Sequence, residues 1–211
     1  MSLPPTTTSP AAGGRGTSET EGTASERRQG SRTRSIIEWV VVIAGALIVA
    51  LLIKAFLIQA FYIPSESMVP ALGVGDRVLV NKLSYRLHDV NRGDLVVFER
   101  PEGDQSQNVK DLIKRVVGLP GERIVIKDNA VWIDGARLAE NYLPAGTLTE
   151  QGSRAQCLDE SPCVVPEDAV WVMGDNREHS FDSRYFGPIE ENTIVGRAFL
   201  RIWPLGDVGF L

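Results

Sequence analysis

The side chains best suited to chemistry are two serines near the start of the polar part of the chain. Ser65 and Ser67 lie between Pro64 and Pro70, and the prolines favour an extended, stiff backbone. A serine hydroxyl is a weak nucleophile at neutral pH and needs a base to accept its proton. Because serine in such a loop is also a common solvated turn residue, the interpretation depends on which base the chain offers.

Two kinds of base are available. Histidine is the usual partner of a serine nucleophile, but His88 and His179 both lie in polar stretches typical of a surface, and the chain has no Gly-x-Ser-x-Gly motif. Lys114 is the other candidate, since burial disfavours the ammonium form and lowers the pKa of a lysine. In a strand, Lys114 would share a face with Leu112 and Val116. An edge strand whose cations reach solvent fits the same pattern, so the residues alone leave both interpretations open.

Two segments precede these residues in the chain of 211 residues. Residues 1–34 contain 20 Ser, Thr, Gly or Pro and too few apolar groups to offset the entropy of ordering, so a disordered tail is predicted. Residues 35–61 are predicted to form a transmembrane anchor helix, because Lys54 is the only charge in the 23 residues from 39 to 61. A helix of that length spans about 35 Å, more than the ~30 Å hydrocarbon core of a bilayer.

The anchor is predicted to stay uncleaved and to leave the N-terminus in the cytoplasm. The leader and the apolar run are both long for a signal peptide, and residues 57–61 lack a small-x-small cleavage pattern. No Lys or Arg occurs in residues 62–76, whereas four arginines precede Trp39 within 15 residues: Arg27, Arg28, Arg32 and Arg34. By the positive-inside rule, residues 62–211 are extracytoplasmic. A buried helix of a soluble domain is the alternative.

Residues 62–211 are predicted to form an all-β domain. They carry 16 basic and 23 acidic residues, and this negative balance argues against nucleic-acid binding as the main function. Short β-branched runs follow or precede Gly-containing turns, which is typical of strands and hairpins. The predicted strands cover residues 77–80, 94–98, 112–117, 124–126, 130–133, 137–138, 169–173 and 197–200. No helix longer than about two turns is predicted in this domain.

The two cysteines, Cys157 and Cys163, are separated by five residues of a polar loop. An extracytoplasmic domain permits disulfides, so a local bridge is predicted, with a stabilisation of about 2–3 kcal/mol from loop closure. A metal site is disfavoured, because no further Cys or nearby His completes a ligand set.

Four blocks of sequence behind the apolar run resemble the bacterial type I signal peptidases, in the order of that family. The blocks are 63–70, with a Ser-x-Ser-Met-x-Pro pattern, then 75–82, then 92–98 together with 114–122, and finally 174–187. Ala71 stands where the family commonly has Thr. The resemblance implies that residues from about 123 to 171 form a small β insert in the catalytic domain.

The resemblance also implies a serine endopeptidase with a Ser–Lys dyad that uses no histidine, metal or cofactor. Ser67 matches the nucleophile and Lys114 the general base. Ser65 matches the serine of the oxyanion hole, and Ser180 matches the serine that orients the lysine. The charged positions that brace the family's site are matched by Arg115, Asp175, Asp182 and Arg184.

The implied substrates are exported preproteins, cut after a small-x-small motif at the bacterial plasma membrane, close to the secretion translocon. The lipid bilayer is the other implied partner, and no nucleic acid is expected. The shallow substrate pockets of the family are matched by Phe61, Ile63, Pro64, Met68, Leu72, Val78, Leu112 and Ile113. Each of these residues taken singly is also an ordinary core residue.

Two other classes of function fit the same topology. The first is a membrane regulator that cleaves itself with the same dyad; the Ala145–Gly146 bond is a candidate for cleavage, although the chain has no regulatory domain. The second is an anchored β module without enzymatic activity, which would tolerate the loss of Ser67 and Lys114.

Overall fold

The computed structural model describes residues 36–51, 57–101, 109–153 and 156–211. The predicted tail and Lys54 lie outside these ranges. Residues 36–51 form a helix, α1, and the chain divides into two compact units, Met1–Ala50 and Leu51–Leu211. Within the described residues, none of the helices has both the length and the apolar character needed to cross a membrane.

The end of the expected anchor helix is a strand instead. Ile58–Tyr62 forms β1 and pairs antiparallel with β2, Arg77–Asn81, so the prediction of a helix through residue 61 is wrong for residues 58–61. The backbone groups of this stretch bond to a neighbouring strand, as Ala60 opposite Leu79 illustrates. A continuous apolar run does not by itself distinguish a strand from a helix.

The fold is mainly β, as predicted, and its strands form two antiparallel sheets. The remaining strands are β3 Leu95–Glu99, β4 Asp111–Gly118, β5 Arg123–Lys127, β6 Ala130–Ile133, β7 Ala136–Arg137, β8 Cys163–Val164, β9 Ala169–Met173, β10 Ile189–Glu190, β11 Ile194–Trp203 and β12 Gly209–Phe210. The larger sheet has the order β1-β2-β11-β3-β4-β9-β10, with β12 paired to β11. The smaller sheet has the order β7-β6-β5-β8.

Among the described residues from 57 to 211, helical structure is limited to single turns, in agreement with the prediction of no helix longer than about two turns. The α-helical turns are α2 Ser84–Leu87 and α3 Ser183–Phe186, and the 3₁₀ turns are Glu191–Thr193 and Leu205–Asp207. The predicted hairpin between β5 and β6 is confirmed. Its two loop residues, Asp128 and Asn129, have φ values of 51° and 57°, a conformation that Asp and Asn tolerate well.

Strand β9 connects the cores of the two sheets, because both of its faces are buried. Trp171 and Met173 pack in the cluster that fills the smaller sheet, whereas Val170 and Val172 pack in a cluster with side chains of β3 and β4. This division follows from the alternation of side chains along a strand. The smaller sheet lies within the segment predicted as an insert, 123–171, but the last three residues of that segment belong to β9.

A disulfide joins Cys157, in the segment between β7 and β8, to Cys163 at the start of β8, with a Cα–Cα distance of 4.9 Å. The backbone N–H of Cys157 donates to Gln151 Oε1 at 3.0 Å, and Ile126 N–H donates to the carbonyl of Cys157 at 2.8 Å. The bridged loop is therefore fastened to β5 by the backbone hydrogen bond from Ile126 and by the pairing of β8 with β5.

Candidate active site

Ser67 and Lys114 form a buried pair in the larger sheet. Ser67 lies in the turn after β1 and Lys114 lies in the middle of β4. The Lys114 Nζ atom donates to Ser67 Oγ at 2.7 Å and to the Ile113 carbonyl at 3.1 Å. Ser67 is 7% exposed and Lys114 is 3% exposed, so the hydroxyl and the amine meet in a site largely shielded from water.

The surroundings of Lys114 favour its neutral form. Burial lowers the pKa of Lys114 to about 8, below the ordinary lysine value of about 10.4. Among the neighbouring charges, Asp182 and Asp175 raise this pKa, and Arg100 and Arg184 lower it. Because a neutral amine at hydrogen-bond distance can accept the proton of a hydroxyl, the pair has the groups that a serine nucleophile and its base require.

The backbone of Ser67 is held by the loop 174–180. Asn176 N–H donates to the Ser67 carbonyl at 3.1 Å, and Asn176 Nδ2 donates to the Glu66 carbonyl at 3.2 Å. Gly174 allows this approach, since a Cβ atom there would lie 2.4 Å from the Ser67 carbonyl oxygen and 2.2 Å from Ser180 Oγ. A side chain at residue 174 would therefore push the loop away from Ser67.

The four charged residues predicted to brace the site form two ion pairs, of which Arg184–Asp182 is buried and Arg115–Asp175 is half-buried. Arg115 donates to both carboxylate oxygens of Asp175, from Nε at 2.8 Å and from Nη2 at 2.6 Å. Arg184 donates from Nε to Asp182 Oδ1 at 2.8 Å and from Nη2 to Oδ2 at 2.9 Å. Asp182 also accepts a hydrogen bond from Gly174 N–H at 3.0 Å. Both pairs thus attach the loop 174–180 to its surroundings.

The other two predicted serines are near the pair but differ in their contacts. Ser65 Oγ lies 3.4 Å from Ser67 Oγ, close enough for a weak hydrogen bond. Ser180 is buried, and its hydroxyl oxygen has no hydrogen-bond partner among the described residues. The structure therefore gives no hydrogen bond between Ser180 and Lys114, and the orienting role expected of Ser180 stays a prediction.

Both histidines are exposed and have partners away from the pair. His88 Nδ1 bonds to the Asp89 carbonyl at 2.8 Å, and its ring meets the Tyr85 ring edge-on at 5.6 Å between centroids. His179 Nδ1 lies 3.4 Å from Asn176 Oδ1. Over the described parts of the chain, no three His, Cys, Asp or Glu side chains are grouped in a way that could hold a metal ion.

A cleft with a cavity volume of about 160 Å³ contains Ser65, Ser67 and Lys114. Five of the predicted pocket residues line it: Phe61, Ile63, Pro64, Leu112 and Ile113. The other three, Met68, Leu72 and Val78, are fully buried in the core cluster that also contains Ile63. They lie in the core rather than in the cleft wall, because their apolar side chains complete the packing behind it.

Sequence reasoning missed several residues that contact the site. Arg100 and Val109 line the cleft. Tyr142, from the chain segment after β7, places its ring 4.3 Å from the Arg115 guanidinium, and Glu140 pairs with Arg177 of the loop 174–180. These contacts join residues that are far apart in sequence, and the segment containing Glu140 and Tyr142 has no periodic hydrophobic pattern. The only sequence feature that pointed to such contacts was the run of charged residues around Arg177.

The chain is similar in sequence to known signal peptidases. The sequence profile of the family described as signal peptidase, peptidase S26, matches residues 36–203. A Synechocystis sp. protein named "Probable signal peptidase I-2" is 38% identical over 188 residues, which cover 89% of this chain and 82% of that protein. Signal peptidase IB of Staphylococcus aureus strain COL is 34% identical over 183 residues, covering 82% of this chain and 93% of the relative.

A solved structure is also similar. The crystal structure of a signal peptidase I from Enterococcus faecalis V583 matches with a TM-score of 0.41 and 30% sequence identity, over 52% of this chain and 97% of that one. Because the family profile covers most of the chain and the relatives exceed 30% identity over most of its length, the chain belongs to the signal peptidase family, peptidase S26.

Proposed function

We propose that this chain is a membrane-anchored serine endopeptidase that removes N-terminal signal peptides from exported preproteins after small-x-small sites. The observation that carries the proposal is the 2.7 Å contact between Lys114 Nζ and Ser67 Oγ, two residues that line the same cleft. Membership of the signal peptidase family and the names of the relatives support the same substrate class.

In the proposed mechanism, the neutral Lys114 amine takes the proton of the Ser67 hydroxyl as Oγ attacks the peptide carbonyl carbon. The Ser65 hydroxyl and the Ser67 backbone N–H donate to the resulting oxyanion, and the loss of one such donor typically costs about 3–4 kcal/mol of transition-state stabilisation. The Lys114 ammonium then gives its proton to the leaving amine, and the C–N bond breaks.

The acyl-enzyme is hydrolysed in the second half of the reaction. Water loses a proton to Lys114 as its oxygen attacks the carbonyl carbon of the Ser67 ester. The C–Oγ bond then breaks, Lys114 returns the proton to Oγ, and the signal peptide leaves with a free carboxyl group. The buried Ser180 hydroxyl has no partner among the described residues; in the proposed reaction it accepts a hydrogen bond from Lys114, a contact that the described structure does not contain, and orients the lysine toward Ser67. Arg115, Asp175, Asp182 and Arg184 keep the loop 174–180 in place around the pair.

The proposed localisation is the bacterial plasma membrane, in a single-pass topology with a cytoplasmic N-terminus and an extracytoplasmic catalytic domain close to the translocon. The basic residues before the apolar run and their absence from residues 62–76 support this orientation. Ser67 follows the apolar run by six residues, so the nucleophile would meet a signal peptide near the outer membrane surface. Protease treatment of sealed inverted vesicles tests the topology: residues 62–211 should be protected.

Cleavage of a preprotein with an Ala-x-Ala site, in detergent, tests the proposed chemistry. We expect the wild type and His179→Ala to cut at that bond, and Ser67→Ala and Lys114→Ala to be inactive. An active Lys114→Ala beside an inactive His179→Ala would replace the dyad with a histidine-based mechanism. If the purified chain cut only its own Ala145–Gly146 bond, the self-cleaving regulator would be the better assignment, and no cleavage by any variant would favour the non-enzymatic module.

A further inference from the structure

One segment of the insert contacts the site from outside the larger sheet. We name residues 138–153 the strap, because they leave the smaller sheet after β7 and pass beside the loop 174–180. Leu138 N–H bonds to the Val131 carbonyl at 2.9 Å, and Thr149 N–H bonds to the Asn129 carbonyl at 2.9 Å, so both ends of the strap are fixed to β6 and the turn before it. Gly152 lies so close to the Arg184 carbonyl that a Cβ atom would be 1.9 Å from its oxygen.

The strap provides most of the partners of Arg177, a residue in the middle of the loop 174–180. The Arg177 side chain is 1% exposed and paired with the Glu140 carboxylate. Its Nη1 atom donates to Glu140 Oε2 at 3.1 Å and to Thr149 Oγ1 at 2.6 Å, and its Nε atom donates to the Gly174 carbonyl at 3.1 Å. A buried guanidinium requires such partners, because an unpaired charge away from water is strongly unfavourable.

The strap also reaches the residue that follows the proposed base. The Tyr142 hydroxyl donates to Glu140 Oε1 at 2.8 Å, and the face of its ring lies 4.3 Å from the Arg115 guanidinium. Arg115 in turn holds Asp175 through two hydrogen bonds. Tyr142 therefore connects Arg115 of β4, through its ring, with Arg177 of the loop 174–180, through Glu140.

That loop fixes the backbone of the proposed nucleophile through Asn176 and through the close approach of Gly174 to Ser67. From the continuous chain of contacts strap, loop and Ser67, and resting on the proposed function, we infer that Glu140 and Tyr142 are positioning residues for peptide cleavage. They touch neither the Ser67 hydroxyl nor the Lys114 amine in the described contacts, and they act by setting where Ser67 sits and how fully Lys114 is enclosed.

The strap therefore positions the nucleophile in addition to connecting two strands of the smaller sheet. A misplacement of about 1 Å at a reacting atom can lower a rate by about 100-fold. Loosening the strap should therefore lower kcat by about 10- to 100-fold, with a change in KM of less than about threefold, because the cleft walls from β1 and β4 are untouched. Greater access of water to Lys114 should raise its pKa.

The test uses the full chain in detergent, with Glu140→Gln, Tyr142→Leu and Tyr142→Phe. Tyr142→Phe keeps the ring against Arg115 and should retain more activity than Tyr142→Leu. Asp159→Asn is the matched control, since it breaks an ion pair of the insert, with Lys127 at 2.7 Å, that has no contact with the strap in the described structure. Glu140→Gln weakens the pairing of a buried arginine; if this variant does not fold, Tyr142→Leu still tests the positioning role of the strap.

Two readouts separate the inference from the proposed function. The first is the kcat and the pH profile of preprotein cleavage, in which the strap variants should shift the rise of the rate to higher pH, unlike Asp159→Asn. The second is the pKa of Lys114 itself, measured by NMR on ¹³C-labelled lysine, which does not require cleavage. Asp182, Asp175, Arg100 and Arg184 face Lys114 and are unchanged in every variant.

The outcomes are distinct. A wild type that cleaves, with strap variants that keep both the wild-type kcat and the wild-type pKa of Lys114, would overturn the inference and leave the proposed function standing. A wild type that does not cleave would overturn the proposed function, and the NMR titration would then decide on the strap alone: a raised Lys114 pKa in folded Tyr142→Leu supports it, and an unchanged one contradicts it.

Discussion

At the scale of single residues, the identity of the candidate pair followed from the sequence, whereas its geometry did not. Ser67 is one of two serines between the prolines, and its choice, like that of Lys114, came from the resemblance to the family. Their contact joins residues 47 positions apart and depends on how β1 and β4 are placed in the sheet. The residues alone left an exposed edge-strand lysine open, and the burial of Lys114 decides against it.

The burial of Lys114 has a consequence for stability. The pKa of Lys114 in the folded protein, about 8, lies below its value in the unfolded chain, so the unfolded chain binds the proton more tightly. The cost of burial is therefore complete below pH about 8 and disappears as the pH rises to about 10.4. In this window the stability of the wild type should increase with pH.

We therefore expect Lys114→Met to be inactive and, at pH 7, more stable than the wild type by about 2–3 kcal/mol. The difference should shrink to less than about 1 kcal/mol at pH 10, because the wild-type lysine is then neutral in the folded state. Urea unfolding at the two pH values measures both differences. Lys110→Met, at a lysine with an 81% exposed side chain, is the control, and its free energy of unfolding should differ little from that of the wild type. If Lys114→Met were more stable than the wild type by the same amount at pH 7 and pH 10, a buried lysine of lowered pKa would be contradicted.

At the scale of elements, the strands with a clear alternating or β-branched pattern were predictable. The strands β8, β10 and β12 have two residues each, too short to carry a period, and they exist because a longer neighbour offers hydrogen-bonding groups. β1 was hidden because its residues continue an apolar run. Pairing with β2, a long-range event, gives it the strand conformation.

The loop 174–180 provides a test of close packing at this scale. Gly174→Ala should lower preprotein cleavage by about 10-fold or more, because the new methyl group would clash with the Ser67 carbonyl and with Ser180 within the loop, and so move the loop away from Ser67. Gly206→Ala is the matched control, since a Cβ atom there meets nothing within 4 Å. Comparable activity of the two variants in the detergent assay would argue against the loop as the support of Ser67.

The disulfide should matter for stability and little for chemistry. Replacing both Cys157 and Cys163 by Ser opens a loop of about seven residues, for which the loop-closure relation gives a loss of about 2 kcal/mol. Urea unfolding of the oxidised wild type and the double variant measures this loss. Preprotein cleavage at 25 °C should persist, because the bridge fastens the smaller sheet and contacts neither Ser67 nor Lys114 in the described residues. An inactive but folded double variant would contradict this division.

At the scale of the whole molecule, strand β9 belongs to the larger sheet, but one of its faces packs in the core of the smaller sheet and the other in a core of the larger one. The resemblance implied an insert at 123–171, and the structure gives this segment a sheet of its own together with the strap. The sequence could not indicate the contact between the strap and the loop 174–180, since Glu140, Tyr142 and Arg177 form no local motif. The buried Arg177 guanidinium obtains its partners Glu140 and Thr149 only when both segments have folded.

The proposed chemistry depends most directly on a neutral lysine as the base. The measurement that tests it is the pH dependence of kcat/KM for preprotein cleavage by the wild type and by the double variant His88→Ala/His179→Ala. We expect kcat/KM to rise with pH around a midpoint of about 8, because Lys114 must lose its proton before it can act as a base, and we expect the same profile in the double variant. A midpoint near 6.5, about the ordinary value for histidine, that is lost in the double variant would contradict the Ser67–Lys114 dyad.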